Sequence, residues 1–195
     1  MDSDGYLSQL ADIFNGITVN TPSISAIIAI ALAGVLLLAS GFASASEIAF
    51  FSLSPSDRND IDERNHPSDD KISALLGDTE RLLATILITN NFVNVTIIML
   101  CNFFFMNVFV FHSPLAEFLI LTVILTFLLL LFGEIMPKIY SAQKTLAFCR
   151  FSAPGIYFLE KVFRPIATVL VRSTTFLNKH FVKKSHNISV DELSH

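Results

Sequence analysis

Tryptophan is absent from the 195 residues, and Asp, Glu, Lys and Arg together make up only 15%, against roughly 25% in ordinary soluble domains. The shortage of charge is uneven as well. No Lys or Arg precedes Arg58, and none lies between Arg81 and Lys138. The formal net charge of −4 hides this segregation, and nucleic-acid binding is not suggested. There are two cysteines, Cys101 and Cys149, each in or beside an apolar segment. That excludes a disulfide framework and any Cys/His zinc spacing, so both are expected to be packed thiols. What the chain has in abundance is apolar surface: 52% hydrophobic residues, nineteen Phe among them, and a mean hydropathy of +0.60. Phe is well tolerated in lipid, but the interfacial anchoring that Trp supplies must come from other residues.

Three long apolar runs organise the chain. The first follows Thr21-Pro22-Ser23, a hydroxyl cap with Pro in the first turn, and predicts a span over about 24–46. It has no basic flank and is too long for a signal peptide's apolar core, so it is read as retained. The second predicts a span over about 82–105 and the third over about 115–136, each near the 20 residues that cross a hydrocarbon core. Between the first two lies a charged loop, 54–81, which Asn65-His66-Pro67 divides into two short helical stretches. Basic residues return from Lys138 onward. The positive-inside rule then places loop 54–81 and the C-terminal region in the cytoplasm, with the N-terminal segment 1–21 and the 106–114 connection outside. The expected fold is an all-α membrane protein of three transmembrane helices, cytoplasmic juxtamembrane helices and an amphipathic belt helix within 138–181, followed by a polar tail, 182–195.

The belt rests on a pattern. At 100° per residue, Lys161, Arg164, Thr168, Arg172, Thr175 and Lys179 share a narrow sector, while Phe158, Leu159, Phe163, Ile166, Val169 and Leu170 cover much of the rest. Such a helix suits the membrane interface, with Pro165 as a kink or a new start. The alternative, a fourth span, would bury Arg164 and Arg172 in lipid at about 2.5–3.5 kcal/mol or more each.

Polar atoms inside spans are costly unless satisfied, and they occur here at similar depth in all three. On the first span Ser40, Ser44 and Glu47 share a face, beside the small residues Gly41 and Ala43. On the second, Asn90 and Asn94 are four apart, with Asn91 turned away. On the third, Glu134 ends an uninterrupted apolar run. Pro137 has no N–H, which on helical spacing leaves the Gly133 carbonyl without a partner. Hydroxyl, amide, peptide and carboxylate oxygens suit Mg²⁺ or Na⁺; without His or Cys the set does not suit zinc, copper or iron. Each group also has an ordinary reading. The serines can bond back to their own helix, the asparagines can join helices, Glu47 can lie at the interface, and Glu134 can pair with Lys138.

Ser40-Gly41-Phe42-Ala43-Ser44-Ala45-Ser46-Glu47-Ile48-Ala49, Ile88-Thr89-Asn90-Asn91-Phe92-Val93-Asn94 and Gly133-Glu134-Ile135-Met136-Pro137-Lys138 resemble the transmembrane domain of the CNNM/CorC magnesium transporter family. The likeness covers roughly residues 22–180, with a weaker likeness to the gliding-motility-associated bacterial members. The resemblance implies a homodimer in the bacterial inner membrane and Mg²⁺ held by Ser40, Ser44, Asn90 or Asn94, Glu134 and the Gly133 carbonyl. It also implies Mg²⁺ efflux driven by Na⁺ exchange. Family members continue into paired nucleotide-binding CBS domains, which this sequence stops short of; the ion site is expected without that regulation. The rival class is a non-transporting scaffold, an assembly or motility factor in which the polar residues only hold helices together. An intramembrane enzyme with Ser44 as nucleophile lacks a histidine inside a span, His112 being at the outer end, so no catalytic residue is expected.

Overall fold

The structure, a computed structural model, describes residues 18–110 and 114–186. Most of the expected outer N-terminal segment, residue His112 and the end of the polar tail lie outside the described residues. In chain order the elements are strand β1 (Thr18–Val19), helices α1 (Ile24–Phe51), α2 (Pro55–Asp62), α3 (Asp69–Leu76) and α4 (Thr79–Val108), strand β2 (Phe109–Val110), helix α5 (Pro114–Leu128), a π-helical segment (Leu129–Ile135), and helices α6 (Met136–Gln143) and α7 (Thr145–His186). Three helices are long and apolar enough to cross a bilayer: α1, α4 and the combined Glu117–Gln143. α7 is not among them. The architecture is that of an all-α membrane protein with three spans.

Two compact units form, Met1–Ile48 with Asn90–Gln143, and Ala49–Thr89 with Lys144–His195. In the first, α1 begins where the hydroxyl–proline signal places it: the Ala26 N–H donates to Ser23 Oγ at 3.3 Å. Its packing inverts that of a soluble helix. Ala26, Ala29, Ala33, Ala43 and Ala45 are buried, whereas Ile24, Val35 and Leu38 are exposed, Leu38 by 76%. Small side chains bring backbones close, and large ones are left for lipid. Against this face Val93, Ile97 and Cys101 of α4 and Leu125 of α5 form a small apolar cluster with Ala33. β1 and β2 add a two-residue antiparallel ribbon, Thr18 opposite Val110 and Val19 opposite Phe109. Nothing in the apolar runs announced it.

The second unit holds the charged loop. Its two stretches fold as α2 and α3, separated across Asn65-His66-Pro67 as expected. Ser54 caps α2 in a reciprocal box: its Oγ accepts the Asp57 N–H at 3.1 Å, and its own N–H donates to Asp57 Oδ2 at 2.9 Å. Ser54→Ala should therefore cost about 1 kcal/mol, read as a lower melting temperature, and Ser54→Gly only a few tenths. Ile61, Ile72 and Leu75 are buried, and α3 packs on α7. That contact is fastened by charge. Arg150 donates from Nε to Asp69 Oδ1 at 2.9 Å and from Nη2 to Oδ2 at 3.1 Å, and the His66 N–H donates to Oδ2 at 2.9 Å. Burial by itself pushes the Asp69 carboxyl upward, but these donors and the guanidinium charge outweigh it and hold the group below the usual carboxylate range. Beside it, burial and then the Asp69 charge push the Cys149 thiol up to about 12. Cys149 is therefore an inert packed thiol, and Cys101 is likewise free and buried.

Of the two readings of Pro165, a kink or a new start, the second falls away. α7 runs without interruption through Pro154 and Pro165, so no separate belt segment begins at Pro165. Each proline removes one N–H, but the bonds on either side continue the helix. Lys161, Arg164 and Arg172 are exposed along it, as are Phe158, Ile166 and Val169, which preserves the two-faced character read from the sequence.

Candidate cation site

The first unit brings two of the three polar groups together. Ser40 lies eleven residues before the end of α1, and Asn90 eleven after the start of α4. At 1.5 Å per residue, both sit about 16 Å along their helices. Ser40 is fully buried, and its Oγ is 2.8 Å from Asn90 Oδ1 and 2.6 Å from Asn94 Oδ1. The Ser40 hydroxyl thus bridges the side-chain amides of both asparagines on the neighbouring span. Asn91 is exposed on a different face of α4.

Ser44 is fully buried one turn further along α1, and its Oγ has no hydrogen-bond partner among the described residues. The local escape is available on this helix: Ser46 Oγ donates to the Phe42 carbonyl at 2.7 Å. Ser44 does not take it. A buried hydroxyl without a partner costs about 1–3 kcal/mol and marks a place where a ligand would be favourable.

The third span reaches this place through its π-helical segment, in which the Met136 N–H donates five residues back to the Leu131 carbonyl. Widened turns of this kind recur at functional sites. On α-helical spacing the peptide oxygen facing Pro137 is that of Gly133; on the π spacing present here it is that of Phe132. Glycine permits two close approaches. A Cβ on Gly133 would stand 3.1 Å from Ser40 Oγ, and one on Gly41 would stand 3.0 Å from the Pro137 ring and 3.4 Å from the Phe132 carbonyl oxygen. Ser141 Oγ closes the same interface by donating to the Ala45 carbonyl at 2.6 Å.

Glu134 is not joined to the serines or asparagines by any hydrogen bond among the described residues. Its Oε1 is 3.2 Å from Lys138 Nζ, and the same ammonium is 3.1 Å from Glu47 Oε2. The ordinary i,i+4 pairing of Glu134 is thus present, with Glu47 as a second carboxylate that the sequence left at the interface. Its only signal was that Glu47 follows Ser40 and Ser44 on one helical face. No group of three His, Cys, Asp or Glu side chains placed to hold a metal ion occurs among the described residues. The site is therefore a neutral oxygen cluster with a carboxylate–ammonium–carboxylate triad in the same unit.

The family model of the Cyclin M transmembrane N-terminal domain matches residues 30–195. A UPF0053 protein of Synechocystis is 26% identical over 140 residues, 72% of this chain and 39% of that protein. A UPF0053 protein of Haemophilus influenzae is 29% identical over 136 residues, 70% of this chain and 31% of that protein. The chain thus spans about a third of the length of the curated relatives it matches. The inverted packing of α1, the three spans and a match over most of the chain agree: the protein belongs to the CNNM family, whose transmembrane N-terminal domain it carries.

Proposed function

We propose that the chain transports Mg²⁺ through the oxygen cluster of Ser40, Ser44, Asn90 and Asn94, with Glu134 and a peptide oxygen of the π segment completing the ligand set. The observation that carries this reading is the convergence of the Ser40 hydroxyl and the Asn90 and Asn94 amides, with the buried, unpartnered Ser44 hydroxyl one turn away; a hard cation would take oxygens from all four. Mg²⁺ gives up water reluctantly, so the cluster must replace the lost oxygens in good geometry. In alternating access, Mg²⁺ enters from the cytoplasm, Glu134 neutralises part of its charge, and repacking about the Pro137 break opens the site outward. The working unit in this proposal is a homodimer in the inner membrane, with its N-terminus outside, its C-terminus cytoplasmic and Na⁺ as coupling ion.

The hydrogen bonds from Ser40 to both asparagines also favour a second reading, a scaffold in which these groups only join helices. Proteoliposome flux separates the two. Wild type should move Mg²⁺ along an imposed Na⁺ gradient, whereas Glu134→Gln and Asn94→Ala should lose flux while keeping the wild-type oligomeric state. Absence of flux in wild type, or full flux in both variants, overturns the transport reading. Lost assembly in the variants instead supports the scaffold.

A further inference from the structure

Lys138 is the only Lys or Arg in the first unit. Its ammonium is placed between two carboxylates of that unit, 3.1 Å from Glu47 and 3.2 Å from Glu134. All three side chains are partly screened from solvent, 27% exposed for Lys138, 26% for Glu47 and 40% for Glu134. A charge so held is costly to move unless another charge takes its place.

We propose that Lys138 is a built-in counter-cation that competes with Mg²⁺ for Glu134. The inference rests on the cation-transport reading and names the regulation of that same site. While the ammonium bridges both acids, Glu134 is occupied and an incoming cation meets a like charge. Loading requires Lys138 to release Glu134 and rest on Glu47 alone. Glu47 is then the carboxylate that holds the ammonium during loading, which accounts for an acid on α1 that contributes no ligand. When Mg²⁺ leaves, Lys138 returns to Glu134 and the empty site carries no unpaired acid. The repulsion scales with the charge of the cargo, so the ammonium opposes a divalent ion more strongly than Na⁺.

The test is Mg²⁺ titration calorimetry on the purified chain in nanodiscs. Lys138→Met keeps the length of the side chain and removes its charge. It should tighten Mg²⁺ binding about tenfold, and Na⁺ binding by less, because the like-charge term is halved. In a Glu134→Gln background the same change should bring no gain. Lys138→Arg should bind as wild type does. A readout on the unaltered protein guards against a misfolded variant: saturating Mg²⁺ should increase labelling of Lys138 by an amine-reactive probe, followed by peptide mass spectrometry. If wild type binds Mg²⁺ but Lys138→Met binds it no tighter, or if labelling is unchanged or falls, the counter-cation role is overturned and the transport reading survives. If neither protein binds Mg²⁺, both fall together.

Discussion

Arg150→Met is expected to destabilise the second unit by about 2–3 kcal/mol, seen as a lower denaturation midpoint of the chain in detergent. The substitution leaves the Asp69 carboxylate buried with the His66 N–H as its one remaining donor among the described residues. Removing one partner of a buried ion pair costs about 3–5 kcal/mol when both are fully covered; Arg150 keeps some contact with water at 22% exposure, which places the cost lower. The pH dependence carries a sign that can be checked. Asp69 has its carboxyl held below the ordinary value in the folded protein, so it contributes stability that is complete above the unfolded pKa of about 3.9. That contribution fades as pH falls through the lower folded-state value. In Arg150→Met the balance reverses, because burial then dominates and raises the carboxyl. The deficit relative to wild type should shrink on acidification toward pH 4. A deficit that stays constant from pH 7 to 4 would show that Arg150 acts by packing its stem rather than by its charge.

Gly133→Val is expected to remove Mg²⁺ binding and to destabilise the first unit by about 1–3 kcal/mol, the usual cost of overpacking. The first added carbon already stands 3.1 Å from Ser40 Oγ and 3.4 Å from Leu37 Cδ1, and two further methyls have no room. Gly133→Ala separates the two effects. A few tenths of an ångström of movement by Ser40 relieve its contact, so the melting temperature should barely change. Yet the same movement disturbs the three-oxygen cluster, and Mg²⁺ affinity should fall about tenfold, since small displacements of ligating groups are expensive. Wild-type affinity in both variants would mean that Ser40 does not touch the ion.

Much of this arrangement is legible in the chain before it folds. Spans are set by length and apolarity, which is why 24–46, 82–105 and 115–136 lie inside the observed helices, and why Ser23 caps α1 where the hydroxyl–proline pair suggests. The meeting of Ser40 with Asn90 and Asn94 is also readable, because equal depth and i,i+4 spacing are properties of the sequence. Other features are not. The π segment has no compositional signature in Leu-Leu-Leu-Phe-Gly; it depends on which turn absorbs the missing N–H of Pro137. That choice decides whether the Gly133 or the Phe132 carbonyl faces Pro137. The links from Lys138 to Glu47 and from Asp69 to Arg150 join residues 91 and 81 positions apart, and charge pattern alone does not choose partners at that range. α7 carries Pro154 and Pro165 inside its 42 residues, although each interior proline costs a helix about 3 kcal/mol.

The surplus residue in the widened turns acts on everything after it. A helix advances about 100° per residue, so the segment from Leu129 to Ile135 sets the rotational phase of α6 as a whole. In the present phase Lys138 faces Glu47 and Ser141 faces the Ala45 carbonyl. Tightening the coil by one residue would swing both contacts a quarter-turn or more off α1 in a single click, with no stable halfway angle. The widened turns therefore fix which side chains of α6 meet α1.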